Sequence, residues 1–438
     1  MSTRPALLVL FVAACGGDSS SAPDAPGDVG PTVPTANTAR EILDTRLAFD
    51  VTAKTGTVVV MFGPSTEPGA TVEVGDLVLD SVQFDGADLA YTPRLVPSMT
   101  RHVIDLALPP SDEPTNVTFT VQYKDHRDEG VSATGYTLLW PYYCGNLFPC
   151  HSDPADGTTL SLSLTGVPAD KVAVYPTMVG EAPSYQIAWS VDAYTELPLG
   201  TTDAGTELAA WYRPNEQTQA TTGTQHLRDV FDWYEKTLGP YRFGPKAGGV
   251  SVDWGANAYG GMEHHPYWHV GSSAMGDEET HAHEAAHGWY GDGIRLACWE
   301  DFVLSEGTVT YLSARALDAV GSPVGNQILD GLASELGSIP GTYPVWPEGC
   351  NSVDIIDDNL FTRAPYVRGA LFYRAVALKV GVDVLDGVLH DFYMEHAGKP
   401  AHMADMLALI ETETGFDPTA CATSWLRSTT KPTPGACP

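Results

Sequence analysis

The chain has 438 residues, and its 55 acidic side chains against 23 basic ones leave a formal charge of −32. That balance excludes the usual basis for binding nucleic acid and for electrostatic docking on anionic lipid. At 43% hydrophobic and 18% charged residues the composition is ordinary for a globular protein, and the length allows two or three domains with ample core.

The N-terminus reads as a processing signal: Arg4 supplies a positive start, and the apolar run Ala6 to Ala14 is too short to span a bilayer permanently. Val12-Ala13-Ala14-Cys15 resembles a bacterial lipobox. That resemblance implies a signal peptide over 1–14 and an acylated Cys15 at the head of a tether, 15–38, that is rich in Gly, Ser, Pro and Asp. The expected location is therefore exported: a cell-envelope lipoprotein at the outer membrane or cell surface, or a secreted protein. Any membrane attachment would run through this anchor. The other six cysteines, Cys144, Cys150, Cys298, Cys350, Cys421 and Cys437, are an even set suited to disulfides in an exported chain. Closeness in sequence favours Cys144–Cys150 and Cys421–Cys437, which leaves Cys298 with Cys350.

From 39 to 213 the chain is β-like. Segments such as TGTVVVMF, NVTFTVQY and TTLSLSLTG set β-branched and aromatic residues between Gly, Pro and Asp turns, which predicts an antiparallel β domain. The period changes at about Gln225, and 214–438 reads as a second domain. There HLRDVFDWYEKTLG fits an amphipathic helix stopped by Gly239-Pro240, and KAGGVSVDW a short strand. Next comes Gly260-Gly261-Met262-Glu263-His264-His265, whose adjacent glycines let the backbone lie close to a ligand with Glu263 projecting beside it.

His283-Glu284-Ala285-Ala286-His287 follows. On a helix, histidines four apart share a face and converge on one point, with Glu284 beside them. Two neutral imidazoles suit zinc, and the carboxylate is placed to take a proton from water. A third ligand is still needed, and Glu306 stands in a second apolar helical run, with eighteen residues between it and His287. A carboxylate buried there is costly unless it is paired or binds metal. His281 points away from this site on a helix, and His264, His265 and His269 are expected to be hydrogen-bonded or exposed rather than ligating. The last third, including ALFYRAVALKV, VLDGVLHDFYMEHA and MADMLALIETETG, has helical spacing of its apolar residues.

The run HEAAHGWYGDGIRLACWEDFVLSEGTVTYL resembles the core of the aminopeptidase N and leukotriene-A4 hydrolase family of zinc metallopeptidases (gluzincins). Ser305-Glu306-Gly307 stands where that family has N-E-G. GGMEH is similar to its G-A-M-E-N or G-G-M-E-N motif, with His264 in place of Asn. Tyr366-Val367-Arg368-Gly369-Ala370 is similar to its Y-x-K-G-A, and Pro149-Cys150-His151-Ser152-Asp153-Pro154 echoes its P-C-F-D-E-P. The resemblance implies an α+β protein, with a saddle-like β domain before a thermolysin-like, mainly α catalytic domain.

It also implies one Zn2+ per chain on His283, His287 and Glu306, with Glu284 as general base and Tyr366 steadying the oxyanion. Glu263 would bind the substrate's α-ammonium, beside the Gly260, Gly261 and Met262 backbone that holds the peptide. The activity implied is removal of N-terminal residues from peptide substrates. A zinc endopeptidase with the same site, and a non-catalytic peptide-binding surface lipoprotein, are the other two readings of these residues.

Overall fold

The computed structural model describes residues 33–96, 101–127, 129–139, 141–255, 260–339, 343–350, 352–435 and 437. The signal segment 1–14, Cys15 and most of the tether lie outside the described residues. Among the described residues no helix is long and apolar enough to cross a membrane.

The first half forms a seven-stranded sheet in the order Met178–Ala182, Thr158–Thr165, Ile42–Asp50, Thr55–Phe62, Thr115–Gln122, Val78–Phe84, Ala87–Asp88. Side chains alternate across a strand, and here that alternation puts Val58, Val60 and Phe62 inside from one strand and Val117, Phe119 and Val121 from its neighbour. The register pairs Val58 with Phe119 and Val60 with Val117, so the apolar sets share one face. One pair departs from the antiparallel expectation: Ile42–Asp50 runs parallel to Thr158–Thr165. The long stretch of chain between those two strands is what a parallel neighbour requires. A smaller three-stranded sheet, ordered Ala70–Glu73, Arg101–Leu106, Tyr91–Val96, accompanies it in this half.

A second, five-stranded sheet has the order Thr195–Thr201, Glu207–Tyr212, Lys246–Val252, Tyr267–Gly271, Gly261–Met262. The boundary expected between 213 and 214 runs through this sheet, because its first two strands precede that point. Their β character matches the first half, but hydrogen bonding joins Glu207–Tyr212 in parallel to Lys246–Val252. The central strand is buried along almost its whole length, as a strand covered on both faces must be. The two-residue strand Gly261–Met262 forms the edge and delivers Glu263 just beyond it.

The longer helices, in chain order, are α1 Gln217–Gly223, α2 Leu227–Thr237, α3 Glu278–Ala286, α4 Phe302–Ala319, α5 Gly325–Glu335, α6 Arg363–Val380, α7 Val382–His396 and α8 Met403–Thr414. Helix α4 is buried over nearly its full length and crosses α6 at a pair of glycines. A methyl group on Gly307 would sit 2.7 Å from the Gly369 Cα, so the two backbones are in direct contact. All three disulfides form as the sequence suggested: Cys144–Cys150, Cys298–Cys350 and Cys421–Cys437. His151, in the P-C-H-S-D-P loop, bonds Asp156 and the Thr71 carbonyl, each at 2.8 Å, as a residue of a loop turn.

Candidate active site

Helix α3 is started by Asp277, whose carboxylate accepts from the Thr280 amide at 3.2 Å and its hydroxyl at 2.6 Å. Glu278 and Glu279 in the first turn meet the positive end of the helix. Four residues apart, His283 and His287 bring their Nε2 atoms to 3.3 Å, although His287 already stands at the helix cap. Glu306, from the second turn of α4, places Oε2 at 3.1 Å from His283 Nε2 and 3.6 Å from His287 Nε2. Zinc bonds of ~2.0–2.1 Å in a tetrahedron set donor atoms about 3.3 Å apart. These three side chains therefore fit a zinc ion with one position left open. His287 turns Nδ1 to the Tyr290 carbonyl at 3.0 Å, which places a proton there and leaves Nε2 free to ligate.

The charges of the pocket point the same way. Burial alone would lower the His287 pKa, but Glu306, Glu263 and Glu284 outweigh it and raise it to about 10. Burial pushes Glu284 well above the usual carboxylate range, helped by Glu263 and Glu306 and opposed by His287. Asp292 is raised for the same reasons, burial first and then Glu263, and neither of its oxygens has a hydrogen-bond partner among the described residues. Glu306 alone goes down, to about 2: burial would raise it, but His287 and His283 hold its charge. Glu306 is thus the carboxylate held as an anion, and a metal cation at the two Nε2 atoms would take the place of the His287 proton that balances it.

His283, Glu284, His287, Glu306 and Glu263 line a cavity of about 510 Å3, shared with Gly260, Met262, Leu138 and Tyr366. Glu263 offers a carboxylate oxygen within 4.8 Å of the donor atoms of both Glu284 and His287. The glycine at 261 permits this closeness, since a Cβ there would fall 2.4 Å from Glu284 Oε1. Tyr366, in the first turns of α6, stacks on His283 with ring centroids 5.8 Å apart. Burial, followed by Glu306 and Glu263, holds its phenol well above the ordinary tyrosine range, so it stays a proton donor. Arg368 turns out of the cleft and clamps the C-terminal segment, bonding the Trp425 and Ser428 carbonyls at 2.7 and 2.6 Å.

Every site residue singled out in the sequence from Gly260 to Tyr366 therefore lines this one cavity. The four other histidines weighed as ligands, His264, His265, His269 and His281, are all buried. His265 bonds the Glu284 carbonyl and Tyr241, and His281 the Met275 carbonyl. Three further groups had no sequence signal. Asp292 stands in an unremarkable Gly-Asp turn, Tyr241 in a loop, and Tyr185 comes from the first half of the chain to face Glu263.

The model of the peptidase family M1 domain matches residues 271–425. Among curated proteins, the chain is 29% identical over 157 residues to Tricorn protease-interacting factor F2 of Thermoplasma volcanium, covering 34% of this chain and 19% of that protein. It is 26% identical over 315 residues to Aminopeptidase M1-B of Oryza sativa subsp. japonica, covering 64% of this chain and 35% of the rice protein. The chain thus spans about a third of the rice protein and a fifth of the archaeal one. An M1 zinc metallopeptidase of Deinococcus radiodurans has the same fold, with a TM-score of 0.74 at 19% identity, over 91% of this chain and 96% of the other.

Proposed function

We propose that this chain, a member of the peptidase M1 family, is an aminopeptidase that holds one zinc ion and removes residues singly from the N-terminus of peptides. The observation that carries this reading is the separation of Glu263 from the zinc-binding atoms. The Glu263 carboxylate lies within 4.8 Å of the donor atom of His287, one of the three, little more than the ~3.3–3.6 Å that one extended residue spans. An α-ammonium bound by Glu263 therefore leaves only the first peptide bond at the metal-binding atoms.

The residues divide the chemistry among them. His283, His287 and Glu306 would hold the zinc, which when bound supplies a Lewis acid for the scissile carbonyl and lowers the pKa of a water. Glu284 accepts that water's proton and returns it to the leaving amine. The Tyr366 phenol donates to the oxygen on which negative charge develops, where a fixed donor counts most. Gly260 to Met262 present edge-strand backbone along which the peptide can lie, and the two halves of the chain close the cleft around Glu263.

The test compares aminoacyl anilides with the same substrates N-acetylated. Stranding one partner of a buried charge pair costs ~2–5 kcal/mol, so Glu263→Gln should lower kcat/KM on free amines roughly 30-fold or more. Zinc content should not change. Equal losses on blocked and unblocked substrates would refute the anchor, and with it the aminopeptidase reading. We further propose that Cys15 carries a lipid anchor that holds the enzyme in the cell envelope. Cys15→Ser should abolish lipid labelling and release the protein from membranes, and unchanged membrane association would refute it.

A further inference from the structure

The last turn of α3 leaves the Glu284 carbonyl to be satisfied from outside the helix. In a continued helix the Gly288 amide would bond the Glu284 carbonyl, but it bonds Ala285 instead, at 3.2 Å, while Trp289 takes Ala286 at 2.9 Å. The freed carbonyl is one of the orphan acceptors of a helix end, and it belongs to the residue read above as the base. His265 fills the gap with Nε2 at 2.8 Å from the Glu284 oxygen. Its other nitrogen, Nδ1, lies 2.8 Å from the Tyr241 hydroxyl. One nitrogen must donate to the carbonyl, so the other accepts from Tyr241, and the ring is fixed in a single tautomer.

The surroundings are built for this pair of rings. His265 is fully buried, with the rings of Trp268, Phe243 and Tyr241 at centroid distances of 5.2, 5.6 and 5.7 Å. A methyl group on Gly288 would lie 2.8 Å from Tyr241 and 3.1 Å from His265, so only glycine leaves room for both rings against the helix end. Burial holds the His265 pKa down at about 3, which keeps the imidazole neutral. Along the chain, His265 stands two residues after Glu263.

We propose that His265, oriented by Tyr241, is a positioning residue that fixes the Glu284 peptide and so couples the ammonium anchor to the base. A substrate amine seated on Glu263 then sets the same short segment that holds Glu284 in register with the scissile bond. This inference rests on the aminopeptidase reading for its kinetic consequence, and on the hydrogen bonds alone for its structural one.

The experiment uses the full chain loaded with zinc and three variants: His265→Leu, His265→Gln and Tyr241→Phe. Leaving a buried carbonyl unsatisfied should cost His265→Leu roughly 10- to 100-fold in kcat. KM and zinc content should stay near wild type, because the anchor and the ligands are untouched. Glutamine carries an amide donor near the position of Nε2, so His265→Gln should recover most of the loss, and Tyr241→Phe should fall between. In parallel, amide exchange over Ala285 to Gly288 should speed up in His265→Leu and in Tyr241→Phe. Unchanged exchange in both variants would overturn the proposal, whether or not the wild type proves to be an aminopeptidase. So would loss of zinc in step with kcat, or a glutamine variant no better than leucine. Wild-type protein inert on free-amine substrates would instead sink the parent reading, and the exchange experiment would still decide the role of His265.

Discussion

The contact between Gly307 and Gly369 packs the helix that carries Glu306, the proposed third zinc ligand, against the helix that carries Tyr366, and replacing either glycine should uncouple activity from stability. In Gly307→Ala the new carbon would meet the Gly369 Cα at 2.7 Å and the Val303 Cγ2 at 3.0 Å. Carbon atoms pack at ~3.5–4.0 Å, so α4 and α6 must part by about an ångström. Overpacking of this kind costs ~1–3 kcal/mol, and the better helix propensity of alanine returns ~0.8–1.0 kcal/mol of it. Net stability should therefore fall by no more than ~2 kcal/mol. Activity has no such compensation, because Glu306 immediately precedes Gly307 and Tyr366 lies one turn before Gly369. A displacement of about 1 Å in such groups can cost ~100-fold. The assay is kcat/KM on an aminoacyl anilide, set beside zinc content and a thermal melt. Gly331→Ala in α5 serves as control, since a methyl group there meets nothing within 4 Å. Activity of Gly307→Ala within about threefold of the control would refute the reasoning.

Glu284→Gln should keep its zinc and lose on the order of 10²–10⁴ in turnover, since general-base catalysis is worth that much; a variant within about tenfold of wild type would dismiss Glu284 as the base. Glu306→Ala should lose zinc as well as activity, measured by metal analysis after dialysis, because only two protein donors remain; unchanged affinity would place the third ligand elsewhere. His269 gives a pH dependence. Burial lowers its pKa from 6.5 to about 3, so the unfolded chain binds a proton that the folded one refuses, and stability drains away as pH falls from 6.5 towards 3. At ~1.4 kcal/mol per unit, the stability of wild type relative to His269→Gln should shrink by about 2–3 kcal/mol between pH 7 and pH 4.5 in urea titrations. A constant gap would mean the ring is not held neutral by burial.

Much of the fold was legible because its signals are local. The alternating Val58, Val60 and Phe62 announce a strand with one buried face, and α2, α7 and α8 appear where the apolar spacing put them. What could not be read was which strands share a sheet. Glu207–Tyr212 looks like the strands before it, and its partner Lys246–Val252 lies beyond two helices. That pairing is decided by packing between distant segments. No window of sequence contains it, so a boundary placed where the period changes falls inside the sheet. The parallel pairing of Ile42–Asp50 with Thr158–Thr165 was hidden for the same reason.

The site divides along the same line. His283, Glu284 and His287 were visible because helix geometry converts a spacing of four into convergence, and Glu306 because a carboxylate inside an apolar helix asks for a partner. Resemblance to a known family supplied Glu263 and Tyr366, which no spacing connects to the metal. His265 was passed over, since a histidine in a glycine-rich loop carries no sign of what its ring will meet. Its role becomes visible only once α3 is seen to end a turn early, leaving the Glu284 carbonyl without a helical donor. Asp292 and Tyr185 are hidden in another way: burial, joined by the nearby Glu263, raises the pKa of both and keeps them protonated, and residue type alone does not announce that. Ligands and base follow from the periodicity of one or two helices. The groups that hold them in register come from three or four segments at once, and for those only the folded chain is a sufficient description.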